Sequence, residues 1–183
     1  TGIQHRKRNR RLVRRLLCLN GRKYGLSSVE SEIKESEVER MRTAAVVNLK
    51  GGVGKSTTAI NMALIMSQVH GKKVLLIDND FQAAVTKFFE KHSYDALSME
   101  EVLRNPILFA QDVIVPSGRW GLDIIPSNMN LVAAADDLIT DKDGDQMGRI
   151  RHVLNHVEED YDYCIIDCHP GVGIEVLNAL ASA

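Results

Sequence analysis

Leu49-Lys50-Gly51-Gly52-Val53-Gly54-Lys55-Ser56-Thr57 combines glycines, lysines and hydroxyls in an order that can hold phosphate. Glycines let successive backbone N–H groups curl around phosphate oxygens where a side chain would clash. A helix starting at Lys55 adds the positive end of its dipole at the same point. Lys55 then reaches the β- and γ-phosphates of a nucleotide, and the Ser56 hydroxyl can ligate Mg²⁺. The binding segment is Lys50, Gly51, Gly52, Val53, Gly54, Lys55, Ser56 and Thr57. The ordinary form of such a loop carries a glycine five residues before Gly54. Here Leu49 takes that position and Lys50 stands beside the glycine pair.

Three aspartates complete the chemistry. Asp167 follows the apolar run Cys164-Ile165-Ile166 and is placed to hold Mg²⁺ or its water. Asp78 and Asp80 leave the apolar run 74–77 two residues apart. One can orient an attacking water while the other supports metal or loop geometry. Asp78 can also be read as a helix N-cap or turn residue alone. Carboxylates at the C-terminal ends of parallel strands stand where ligands bind in such sheets.

The elements that must position these groups alternate. Strand-like apolar runs cover 44–49, 74–77, 113–115, 122–125 and 163–166, with a turn at Pro116-Ser117-Gly118. Helical patterns cover 55–69, 81–91, 99–104, 131–138, 146–157 and 173–183. Gly71 stands where a C-cap glycine would end the first helix. Continuous apolar strands separated by helices predict an α/β fold: a mainly parallel sheet with helices on both faces.

A chain of 183 residues is long enough for one domain with a real core. No apolar run approaches the roughly 20 residues of a membrane-spanning helix. Three cysteines, Cys18, Cys164 and Cys168, make no disulfide framework and fit a reducing cytoplasm. Charge divides the chain sharply. Residues 1–40 carry 11 Lys and Arg against 5 Asp and Glu, whereas residues 41–183 carry 12 against 19. The first 40 residues are therefore read as a basic, then polar, extension outside the domain, with Met41 as the natural start. The competing reading is a basic arm for nucleic acid or an anionic membrane.

KGGVGKSTT resembles the deviant Walker A motif of the ParA/MinD family of ATPases, a SIMIBI-like branch of the P-loop NTPases. Further segments carry the same resemblance. Asp78-Asn79-Asp80-Phe81-Gln82 resembles the family's DxDPQ motif, and residues 161–170 (YDYCIIDCHP) resemble its Walker B segment. Residues 121–128 (GLDIIPSN) are similar to an LDLIPSN element of partition members, and 173–180 to the helix after Walker B. The match runs from Met41 to Ala183 and is nearest the ParA/Soj chromosome and plasmid partition branch. Phe81 and His169 replace prolines of the pattern, which bears on hydrolysis rate and loop geometry.

The resemblance implies an ATP-dependent dimerisation switch that hydrolyses ATP to ADP and phosphate, slowly without a partner. Lys50, Lys55 and Asp80 would be catalytic, with Asp80 orienting water and Lys50 reaching the nucleotide of the other subunit. Ser56, Asp78 and Asp167 would form the metal site. ATP and Mg²⁺ are the implied cofactors. The implied partners are a second copy of the chain, a centromere-binding partition protein and non-specific DNA, in a nucleoid-associated cytoplasmic protein; a membrane partner is not expected. The alternatives are a MinD-like membrane-positioning ATPase and a nucleotide-dependent scaffold with little hydrolysis. The domain is expected to be truncated at its C-terminus, without the adenine-contacting and DNA-binding parts that family members carry further on.

Other signals are read as structural. Cys164, Cys168 and His169 lack the spacing of a zinc site, and a buried cysteine acts as a small hydrophobe. His152 and His156 share a helix face without a third ligand. Residues 141–145 (DKDGD) misplace the glycine of a calcium loop and read as an exposed acidic loop.

Overall fold

The structure, a computed structural model, describes residues 40–141 and 144–183. The basic arm, up to residue 39, and Lys142 and Asp143 of the acidic loop lie outside the described residues. Five strands form one sheet in the order β1-β5-β2-β4-β3. They are β1 (Arg42–Val46), β2 (Val74–Asn79), β3 (Val115–Arg119), β4 (Leu122–Ile125) and β5 (Tyr163–Cys168). Strands β1, β5, β2 and β4 run parallel, and β3 closes the edge antiparallel to β4.

Successive side chains of a strand face opposite ways, so the apolar strands feed two cores. Val74, Leu76, Leu122, Ile124 and Ile165 pack with Ala59, Ile60 and Ala63 of α1 (Lys55–Leu64) and Val85 of α2 (Ala84–Phe88). Leu75, Ile77, Cys164 and Ile166 face the other way. They meet α3 (Met99–Arg104), α4 (Ala110–Val113), α5 (Asn130–Thr140), α6 (Arg149–Asn155) and α7 (Ile174–Ser182). Helices therefore cover both faces, as the alternation requires. Both sides of β2 and β5 are buried, which is why those strands read as unbroken apolar runs.

Several boundaries differ from the sequence reading for local reasons. The helix from residue 55 is α-helical to Leu64 and ends in a π-turn, Ile65–Val69, closed by the His70 N–H on the Ile65 carbonyl (3.2 Å). The helix expected over 81–91 shrinks to α2. Asp80 holds the preceding residues in a turn: its Oδ1 accepts the Gln82 N–H (2.8 Å) and its carbonyl accepts that of Ala83 (2.9 Å). The helix expected over 146–157 shrinks to α6: at its start the Gln146 carbonyl accepts from Asn178 Nδ2 (2.6 Å), and Asn178 Oδ1 accepts the Arg149 N–H (2.9 Å). The expected strand at 113–115 starts only at Val115, since Val113 belongs to α4. Pro116-Ser117-Gly118 is an irregular edge strand rather than a turn, with a register shift between Pro116 and Arg119. Proline is tolerated there because an edge strand has an unpaired side. The chain reverses instead at Trp120-Gly121.

Candidate functional site

The sheet brings the sequence-predicted residues together at one edge. The last residue of β1, Val46, pairs with Asp167 on β5, and Asp167 pairs with Asp78 on β2. The glycine loop leaves β1 and so lies beside Asp167. Gly52 and Gly54 have φ of +70° and +87°, a conformation strained for any side-chain-bearing residue. Gly54 is the N-cap of α1, and no side chain caps that helix. Its carbonyl accepts the Thr58 N–H (2.8 Å), the first helical bond. The N–H groups of the first turn therefore point out of the helix end without an acidic residue to receive them. That is the geometry of an anion cradle.

Asp167 is the unusual group of the site. It is fully buried, and neither carboxylate oxygen has a hydrogen-bond partner. Burial pushes its pKa up to about 6; the nearby Ser56 hydroxyl and Lys55 ammonium pull it down, and Asp80 pushes it up. Ser56 comes close enough to act on this charge without meeting hydrogen-bond geometry. A buried carboxylate without partners is costly unless something else supplies positive charge. Hard oxygen donors from Asp167 and Ser56 fit Mg²⁺, which typically uses one or two protein ligands and completes its shell with phosphate and water. Among the described residues no three His, Cys, Asp or Glu side chains form a metal cluster.

Asp78, one pair away, is occupied differently. Its Oδ2 accepts both the Thr86 N–H (2.7 Å) and the Thr86 hydroxyl (2.6 Å), and its Oδ1 accepts the Asp80 N–H (3.3 Å). Thr86 Oγ1 in turn accepts the Ser127 N–H (2.8 Å). Burial raises the Asp78 pKa to about 7 against these bonds. The side chain caps α2 from a distance and ties β2 to the segment after β4. The N-cap or turn reading of Asp78 thus has direct geometry: its oxygens are occupied by the Thr86 and Asp80 donors. Asp80 is 7% exposed, near enough to Asp167 to act on its charge, and Oδ2 has no described partner.

Lys50 is exposed, its N–H held by Asn48 Oδ1 (2.9 Å). Leu49, Val53 and Val172 are exposed apolar residues at the same edge. Two groups were missed in the sequence. Thr86, which links Asp78 to Ser127, carries no motif. Glu175 pairs with His169, a contact that the unusual His169 alone could have prompted. Ser127 and Asn128 end the LDLIPSN-like element, and the Asn128 amide donates to the Ser93 carbonyl (3.0 Å) and the Ser98 hydroxyl (3.2 Å). Cys164 and Cys168 are buried free thiols, with burial raising Cys168 to about 12. The His152 and His156 rings meet edge to face, 4.8 Å between centroids.

A mainly parallel sheet with a glycine loop at an uncapped helix N-terminus and a buried strand-end aspartate beside it is the arrangement of a P-loop fold. A family model described as an AAA domain matches residues 41–183. The chromosome partitioning protein ParA of Myxococcus xanthus is 36% identical over 145 residues, 78% of this chain and 49% of that protein. The ATP complex of a McdA variant from Cyanothece superposes with a TM-score of 0.71 and 28% identity, over 78% of this chain and 54% of that one. Cobyrinic acid a,c-diamide synthase from Mycobacterium smegmatis, with bound ATP analog and magnesium, gives 0.69 and 32%, over 78% and 57%. The chain belongs to this AAA domain family, as a ParA/MinD-type ATPase close to the ParA branch. It spans about half the length of the curated relatives it matches.

Proposed function

We propose that residues 41–183 are the phosphate- and metal-binding part of an ATPase that uses ATP-driven dimerisation as a switch in partitioning a plasmid, chromosome or mobile element. The observation that carries this reading is Asp167, buried without a partner beside the glycine loop, Ser56 and Lys55. The uncapped first turn of α1 would receive the phosphates, and Lys55 would neutralise the β- and γ-phosphates. Ser56 and Asp167 would hold Mg²⁺, which when bound offsets charge on the same oxygens. Asp78 would position rather than ligate. Asp80, with one oxygen bound to the chain and the other open, would orient the attacking water.

Lys50 would serve the neighbouring subunit. It is exposed, and a lysine beside the glycine turn cannot easily fold back to its own γ-phosphate. Two triphosphates facing each other repel, and a lysine exchanged from each side offsets that charge. Exposed Leu49, Val53 and Val172 support an interface at this edge. A centromere-binding protein and non-specific DNA are the partners this role requires, in a nucleoid-associated cytoplasmic protein. The test compares two lysine variants of the full-length protein. Lys55→Ala should abolish binding of a fluorescent ATP analogue. Lys50→Ala should bind it normally yet fail to dimerise with ATP in light scattering. Unchanged affinity in the first or a normal dimer in the second contradicts the reading.

A further inference from the structure

The two residues that depart from the family pattern, Phe81 and His169, meet in space: their rings lie 5.8 Å apart at 59°. Phe81 directly follows Asp80, and His169 follows Asp167 by two residues. Nε2 of His169 pairs with Oε1 of Glu175 in the first turn of α7, and both side chains are largely buried. The backbone is shaped around this pair. A Cβ on Gly171, where φ is +155°, would stand 2.6 Å from His169 Cε1, and one on Gly173 would collide with the Glu175 carboxylate. The His169 N–H reaches the Asn79 carbonyl (3.4 Å), and Asn79 Nδ2 donates to the Glu175 carbonyl (2.9 Å). Between these anchors Pro170 lies under the phosphate loop, 3.9 Å from where a Gly51 Cβ would be.

We propose that Phe81, His169 and Glu175 form a clasp that fixes the loop after β2 against the loop after β5, making His169 and Phe81 positioning residues for hydrolysis. The clasp rests on the reading that this site hydrolyses ATP. Glu175 is buried and ionisable, so it needs a partner, and His169 is the partner the fold provides. The imidazole is thereby fixed, and its face presents a surface to Phe81. Asp80 sits on one clasped loop and Asp167 at the strand end leading into the other, and the two must hold their separation for water attack. An error of about 1 Å in such a placement can cost up to ~10²-fold in rate. The phosphate contacts of the α1 end do not involve the clasp, so substrate affinity should be spared.

The experiment measures steady-state hydrolysis, fluorescent-ATP affinity and melting temperature for full-length protein and variants. His169→Ala and Phe81→Ala should each lower kcat about tenfold with KM and ATP affinity nearly unchanged. The double variant should be no slower than the slower single, because both break one unit. His169→Gln, which can still donate to Glu175, should recover most of the rate. If His169→Ala fails to fold, Phe81→Leu decides, since it keeps volume and removes the ring. Unchanged kcat in Phe81→Leu, a His169→Gln variant as slow as His169→Ala, additive losses in the double variant, or losses in affinity instead of kcat overturn the clasp. A wild-type protein that binds ATP without hydrolysing it overturns the hydrolysis reading and the clasp with it; a wild type that turns over beside unaffected variants overturns the clasp alone.

Discussion

Asp78 and Asp167 face each other across two neighbouring parallel strands, both fully buried, both with raised pKa, yet they do opposite things. The end of β2 is a finished structure: Asp78 accepts three hydrogen bonds, and Thr86 passes the connection on to Ser127. The end of β5 is unfinished: Asp167 accepts none. Burial alone does not mark a functional carboxylate. The distinguishing feature is whether the fold has satisfied it. A satisfied buried aspartate is part of the scaffold, and an orphaned one calls for an explanation, which for Asp167 is the proposed metal-bound nucleotide.

The largest expected effect lies just beyond the comparison, at Asp80, which extends from the finished strand toward the unfinished one. Asp80→Ala should lower hydrolysis by about 10²–10³-fold while leaving ATP binding intact, because water positioning is lost and phosphate contacts remain. Wild-type turnover in that variant, followed by phosphate release, would move the role elsewhere. Next come the two facing aspartates themselves, without nucleotide. Asp78→Ala leaves the buried Thr86 N–H and hydroxyl unmet and should cost about 3 kcal/mol, roughly 6–12 °C in melting temperature. Asp167→Asn breaks no hydrogen bond and should stay within about 1 kcal/mol of wild type. Equal destabilisation by both, in a thermal melt, would erase the distinction.

The smallest effect is on pH dependence. Both carboxylates have folded-state pKa values above the ordinary 3.8, near 7 and 6. A raised acid pKa means that the folded state binds the proton more tightly than the unfolded chain. The resulting stability is fully present below about pH 4 and is lost as pH rises toward 6 to 7. The nucleotide-free protein should therefore lose part of its stability across that window, and Asp167→Asn should flatten the slope. Denaturant melts at several pH values check this; a slope unchanged by the substitution would show that Asp167 does not titrate there.

Much of this was legible in the sequence, for stated reasons. The glycine loop depends on backbone conformation that only glycine supplies at Gly52 and Gly54, so composition exposes it. Strands β2 and β5 are buried on both faces and leave unbroken apolar runs at 74–77 and 164–166. What sequence did not show is how side chains at distant positions complete one another. Thr86 lies eight residues after Asp78, and nothing in its type announces that it will fill both an N–H and an O–H bond there. The helix starting at residue 81 was overestimated because periodicity does not see the Asp80 turn. His169 and Phe81 were visible as departures, but only the fold shows that they touch.

The central claim, that Asp167 is left unpartnered to receive a metal-bound nucleotide, is tested most directly by one titration. Fluorescent-ATP affinity is measured with and without Mg²⁺ for wild type, Asp167→Asn and Asp78→Asn, all in the full-length protein. Wild type and Asp78→Asn should bind more tightly when Mg²⁺ is added, and Asp167→Asn should show no response to the metal. An Asp167→Asn protein that keeps the full Mg²⁺ response would contradict the assignment.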